Sequence, residues 1–258
     1  VVTAIGGKTL HRAVITSYVD ASGTLHENVI AIPLDDTMTT LAAGWYVMNS
    51  DVAYTGTMTL SGNVTLILGD GKTMSVTNTG TGNEDFAIYG DSGSLHIYGQ
   101  SQGTGALTAT ANSSVAIKVD DYITINGGTV TATSTSDVGI YGIDGVTING
   151  GTVNANGIYA DGNITINGGK VTNNSDPGIC SYSGTIILGL RNVTDYITAA
   201  SYSGTLGIIV KAGQTLTDGT STYSGTLTDE QKKAIAEKTL TPPTYSVTAN
   251  RAKTEDTE

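Results

Sequence analysis

The sequence predicts an all-β fold: a right-handed parallel β-helix with three strands per rung, an N-terminal β cap and a short C-terminal α-helix. Three observations predict it. The first is composition. The 258 residues include 43 threonines and 34 glycines, and 14% are charged, against about 25% in an ordinary soluble chain. Thr, Val, Ile and Tyr suit pleated strands, and Gly supplies tight turns. The second is an internal repeat. Ile125-Asn126-Gly127-Gly128-Thr129-Val130 recurs as Ile148 to Val153 and as Ile166 to Val171, with Lys170 for Thr, at spacings of 23 and 18 residues. The third is that each copy sits between two other short alternating segments. Ala116 to Val119, Gly139 to Gly142 and Gly157 to Ala160 precede the copies, and Thr129 to Ala132, Thr152 to Ala155 and Lys170 to Asn173 end them.

Three strands this short cannot be stable alone. Stacked on their equivalents in the next repeat, they form parallel ladders around one continuous core. Crossovers between parallel strands are overwhelmingly right-handed. A left-handed coil would want a hexapeptide period, which spacings of 23 and 18 do not supply.

Residues 1–45 are expected to form a strand and hairpin cap, with Ala13 to Val19 and Leu25 to Ile32 around Asp20-Ala21-Ser22-Gly23. An open coil end exposes strand edges and core, so it needs such a cover. The coil is expected over 46–215. Alternation assigns its inward set: Ile123, Ile125, Val146, Ile148, Ile164 and Ile166, then Val130, Val153 and Val171, then Ile88, Ile117, Ile140, Ile158 and Ile179. Thr124, Thr147 and Thr165 then point outward as one row. Asn126, Asn149 and Asn167 precede the glycine corners, where their side chains can bond along the stack. Tyr-Ser-Gly-Thr at Tyr182, Tyr202 and Tyr223 marks weaker downstream repeats. Residues 216–258 form the second cap. Thr228-Asp229-Glu230-Gln231 has capping-box spacing, which opens a helix over 229–238; Pro242-Pro243 ends it, and a polar tail follows Ala249.

The totals narrow the function classes. Net charge is −11, with 12 Lys and Arg scattered along the chain. A phosphate-binding surface needs a basic patch, so nucleic acid is not an expected partner, and anionic membranes are disfavoured for the same reason. No stretch approaches ~18 consecutive apolar residues, so no membrane-spanning helix is expected. The one cysteine cannot form an intramolecular disulfide. Val1 begins inside an ordinary segment, so the chain is expected to be a mature or trimmed form whose export signal was removed.

Two rows of side chains carry the candidate chemistry. Tyr89, Lys118, Tyr141, Tyr159 and Cys180 each follow an inward Ile, so alternation places them in register on an outer face. Tyr rings there suit stacking on sugar rings, and Lys118 suits a carboxylate or hydroxyl; the plainer reading is that Tyr favours strands and lies partly under a loop. Asp120, Asp121, Asp144 and Asp161 sit at the corner between first and second strands. Such a row could hold calcium, which takes six to eight oxygens, or it could be ordinary turn aspartate beside Gly. His11, His26 and His96 lack zinc spacing. For an enzyme, Lys118 beside Asp120 and Asp121 is the only mixed-charge cluster, and the turns are too short to wall a cleft.

The segment from Gly157 to Gly169, Gly-Ile-Tyr-Ala-Asp-Gly-Asn-Ile-Thr-Ile-Asn-Gly-Gly, resembles repeats of exported β-helix surface proteins of clostridia and other gut anaerobes. Ala43-Gly44-Trp45-Tyr46-Val47, Leu66 to Gly71 and Ile97 to Ser101 extend that resemblance from Gly44 to Leu240. The central repeats also resemble a clostridial carbohydrate-binding β-helix family that binds acidic plant polysaccharide and calcium. Asp161 matches the final Asp of its motif, while Tyr159 replaces its His, and Asn154-Ala155-Asn156 replace its acids. The resemblances imply an extracellular or cell-surface protein that presents a carbohydrate-binding or adhesive face to a polysaccharide or cell-surface glycan; the short turns make a non-catalytic role the expectation, and an elongated solenoid is expected to be monomeric. A structural stalk or spacer, and a polysaccharide lyase or hydrolase, are the alternatives.

Overall fold

A computed structural model describes residues 11–244 except residue 177; the polar tail after Ala249 lies outside them. Three parallel ladders form the coil. The first stacks Ile88–Ser92, Ile117–Val119, Ile140–Gly142, Ile158–Ala160, Ile179–Ser181 and Tyr202–Gly204. The second stacks Leu95–Gly99, Tyr122–Ile125, Gly145–Ile148, Asn163–Ile166, Ile186–Leu188 and Ile208–Val210. The third runs from Val52–Thr55 through Thr73–Asn78, Ala106–Ala111, Thr129–Ser134, Thr152–Ala155 and Lys170–Asn173 to Tyr196–Ala199. The longer strand Met58–Leu68 spans the first two ladders. Its front half pairs with Ile88–Ser92 and its back half with Leu95–Gly99, across an irregularity between Leu60 and Ser61. Thr40–Val47 pairs with it in parallel, with a register shift between Ala42 and Gly44, and Ile32 and Pro33 pair in parallel with Tyr46 and Val47, so parallel pairing starts at Ile32, ahead of position 46.

Register follows the repeat. Ile117 lies opposite Ile140, Ile140 opposite Ile158 and Ile158 opposite Ile179. All fourteen residues of the inward set are at most 1% exposed, and they belong to one continuous core running from Leu34 to Leu240. Each fully buried aliphatic side chain contributes about 1.5–3 kcal/mol of transfer free energy. Thr124, Thr147 and Thr165 stack in register and are half-buried.

The Asn-Gly-Gly corners turn from the second ladder to the third. The second glycine of each pair has positive φ: +75° at Gly128, +81° at Gly151 and +92° at Gly169. The predicted asparagine stack forms. Asn167 Nδ2 donates to Asn149 Oδ1, and Asn149 Nδ2 to Asn126 Oδ1, both at 2.9 Å. Lys211 Nζ donates to Asn167 Oδ1 at 2.7 Å.

The N-terminal hairpin pairs Val14–Val19 with Leu25–Pro33 antiparallel and packs on the outer face of the second ladder. There Ala31, Val47 and Ile67 form a small buried cluster, and Tyr18 stacks on His26 and packs at a tilt against Trp45 and Tyr98. At the other end, antiparallel pairing stops the coil. Gly225–Thr226 pairs with Ile208–Val210, and Thr239–Leu240 with Tyr196–Ala199. Leu216, Tyr223, Leu227, Ile235 and Leu240 complete the core there. The capping box at Thr228 and Gln231 is present, but the helix is Asp229–Ala234, shorter than the 229–238 segment. Glu237, at φ 61°, turns the chain back and its N–H donates to Ala199 O. The three Tyr-Ser-Gly-Thr copies do not stack on one another. Tyr182 is half exposed beside the strand Ile179–Ser181, Tyr202 points into the core opposite Ile179, and Tyr223 sits in the hairpin Leu216–Thr217/Thr222–Tyr223.

Candidate functional site

The outward neighbours of the first-ladder isoleucines form the expected column. Tyr89 lies opposite Lys118, Lys118 opposite Tyr141, Tyr141 opposite Tyr159 and Tyr159 opposite Cys180. Exposure along it is uneven. Tyr89, Lys118 and Tyr141 are half-buried, whereas Tyr159 and Cys180 are each 7% exposed. The turns that enter the first ladder explain the difference. They carry Phe86, Val115 and Val138 over the column, and these join Tyr159 and Cys180 in a second apolar cluster outside the coil. An evenly exposed row of three tyrosines is therefore corrected: Tyr159 is buried beneath the turn residues, and Tyr89 and Tyr141 are half-buried.

A cleft of about 440 Å³ opens here, lined among others by Phe86, Val138, Tyr141, Tyr159 and Tyr182. A smaller hollow of about 220 Å³ continues past Asp137, Tyr159 and Asp176. Tyr182 is the residue that sequence reasoning missed. It lies 51% exposed where the first ladder turns into the second, nearly perpendicular to Tyr159 at 5.6 Å and 86°, and edge-on to Tyr141 at 6.4 Å and 68°. Alternation gives no signal at a corner, so only its place beside Cys180-Ser181 could have found it. At the other end Phe86 stacks on Tyr89 at 4.9 Å, and Lys118 Nζ lies 5.3 and 5.1 Å from the two ring centroids.

Polar partners rim the rings. Lys118 Nζ bonds Asp120 Oδ1 at 3.0 Å. Tyr141 donates its hydroxyl to Asp161 Oδ1 at 2.6 Å. Burial first, and then this bond to a carboxylate, raises the Tyr141 phenol well above its ordinary range. Burial pushes Tyr159 up to about 12, helped by Tyr182, Cys180, Asp137 and Asp176, and burial also raises the Cys180 thiol. These phenols stay protonated donors at neutral pH.

The aspartate row takes a different form from the one the sequence suggested. Asp120 turns to Lys118 and Asp161 to Tyr141, while Asp144 is exposed and Asp121 half-buried. Among the described residues no three His, Cys, Asp or Glu side chains converge as ligands for one ion. Two of the four acids, Asp120 and Asp161, are therefore already held by side chains of the aromatic column.

Residues 123–145 and 146–162 match the beta helix repeat family model. The two matched units begin at Ile123 and Val146, which pair directly in the second ladder, so each unit is one rung. The chain is a parallel β-helix repeat protein. No curated protein and no solved structure matches it significantly. Within this β-helix repeat protein the first matched unit contributes Val138 and Tyr141 to the cleft and the second contributes Tyr159.

Proposed function

We propose that this β-helix repeat protein is a non-catalytic, exported surface protein that holds a glycan along the aromatic cleft of its first ladder. One observation carries the reading: Tyr141, Tyr159 and Tyr182 meet at steep angles in an open cleft whose rim is Lys118, Asp137 and Asn83. Ring faces take the apolar face of a sugar, and the rim takes its hydroxyls. The reading needs no cofactor, and it takes the protein to act as a monomer. The state of Lys118 also favours binding over lyase chemistry. Among the described residues the one cation lining the cleft, Lys118, is held by Asp120 and lies over two rings, so its side chain is already engaged. The carbohydrate-binding resemblance of the central repeats and the surface-protein resemblance support the same reading.

A stalk role is the second reading, favoured by the third ladder. Its outward column Thr108, Thr131, Asn154, Thr172 and Thr198 is a plain polar strip. Native electrophoresis through gels cast with neutral, amino and acidic polysaccharides separates the two. A glycan-binding cleft retards the protein in at least one gel, and Tyr182→Ala reduces that retardation about tenfold, since one lost ring contact removes roughly 0.5–1.5 kcal/mol beyond its buried area. Equal mobility in every gel, or retardation indifferent to Tyr182→Ala, contradicts the binding reading.

A further inference from the structure

We infer that the glycan this cleft takes is an amino-sugar polymer, bound through its protonated amine, and that polyuronates are rejected; this rests on the glycan-binding reading above. The argument is charge complementarity on an aromatic wall. Among the described residues Lys118 is the only basic one lining the cleft, and its charge is already met by Asp120 at 3.0 Å. The ion pairs among the described residues are His11–Asp35, His26–Asp20, Lys118–Asp120 and Lys232–Asp229. Asp137, Asp161 and Asp176 therefore have no cationic partner among those residues. Asp137 lines both the cleft and the hollow beyond it, and Asp176 lines the hollow. Tyr159 lines the hollow with both of them, which places their charge beside the cleft.

A uronate entering this site would bring its carboxylate toward carboxylates that lack a cationic partner, on a chain of net charge −11, where Lys118 is already held by Asp120 and no second cation lines the cleft among the described residues. An ammonium meets the opposite situation. Tyr182 stands nearly perpendicular to Tyr159 and both rings line the cleft, and a cation over a tyrosine face is attracted by the ring quadrupole. The protein already makes this contact at the other end of the column, where Lys118 sits over Phe86 and Tyr89. An amino sugar combines the two things the cleft offers: an apolar ring face for stacking and one positive charge for Asp137.

Calorimetric titration of the full chain at mildly acidic pH, where the amine is protonated and aspartates are ionised, tests this with three short oligomers: glucosamine, N-acetylglucosamine and galacturonate. The glucosamine oligomer should bind about tenfold or more tighter than its N-acetyl counterpart, and the galacturonate oligomer should not bind. Asp137→Asn should bring glucosamine affinity down to the N-acetyl level and leave N-acetyl binding unchanged. The amide keeps an oxygen to accept the Val138 N–H, a bond Asp137 Oδ1 makes at 2.8 Å, so the turn is preserved; a thermal melt verifies it. Glu230→Gln, on the exposed C-terminal helix, should change nothing. Equal binding of the amine and N-acetyl forms, an unaffected Asp137→Asn, or an equal loss in Glu230→Gln overturns the inference. If N-acetylglucosamine or galacturonate binds best and Tyr182→Ala abolishes it, the charge argument falls and the glycan-binding reading stands. Silence from all three oligomers removes both.

Discussion

At the scale of single residues, direction is set by one cation. Lys211 can only donate, so Asn167 must turn its oxygen toward it. Asn167 then donates to Asn149 and Asn149 to Asn126, leaving the Asn126 Nδ2 buried with no hydrogen-bond partner among the described residues. Three amides at the corners thus share one polarity, and removing the middle one strands a group on each side. Asn149→Ala should cost about 1–3 kcal/mol, the penalty for leaving buried polar groups unpaired. A urea titration would show it as a lower midpoint at unchanged slope. A change within a few tenths of a kcal/mol would mean that the stack is ornamental. The row itself was legible, because Asn126, Asn149 and Asn167 recur at one place in the repeat. Its polarity was not, because Lys211 lies 44 residues beyond Asn167 and outside the repeated motif.

At the scale of elements, the inward positions were legible because strand period is two and the repeat fixes register; Ile117, Ile140, Ile158 and Ile179 stack as alternation requires. The corners obey no such period, and there the reading stopped. Tyr182 leaves the strand Ile179–Ser181 at a corner, and Phe86, Val115 and Val138 come from turns, so the cover over Tyr159 and Cys180 was not visible in alternation. The helix ended early for a comparable reason. Pairing of Thr239–Leu240 with the last third-ladder strand competes with further helical turns and wins. The glycine corners show how tightly rungs are stacked. A Cβ on Gly151 would lie 2.5 Å from Gly128 O, at a φ of +81°. Gly151→Ala should therefore destabilise by more than the ~1 kcal/mol of left-handed backbone strain alone, because backbone must move to clear the methyl. Ala at Gly103, also at positive φ but with open space around it, should cost only that strain. Equal midpoints for the two variants in urea would show that corner packing is loose.

At the scale of the whole molecule, one core extends along the coil, so stability is a sum over rungs and their contacts. Buried phenols are spread along that length. Tyr54 and Tyr159 are pushed up to about 12, mainly by burial, from an ordinary value of 10.0. Folded protein keeps these protons where the unfolded chain would lose them. Their contribution is whole below pH 10 and is lost as pH rises through 12. Thermal midpoints should therefore fall between pH 10 and pH 12, and Tyr159→Phe should lessen that fall; a midpoint flat across this window would place these rings in water. The central claim is that a linear repeat becomes columns of like side chains. Spin labels on the third-ladder column, whose members run Ala53, Ser75, Thr108, Thr131, Asn154, Thr172 and Thr198, test it most directly. At ~4.8 Å per rung, labels at 53 and 198 should lie roughly 29 Å apart and labels at 108 and 198 roughly 19 Å. Dipolar distances in that three-to-two ratio are the expected result, and distances that do not grow with the number of rungs would contradict it.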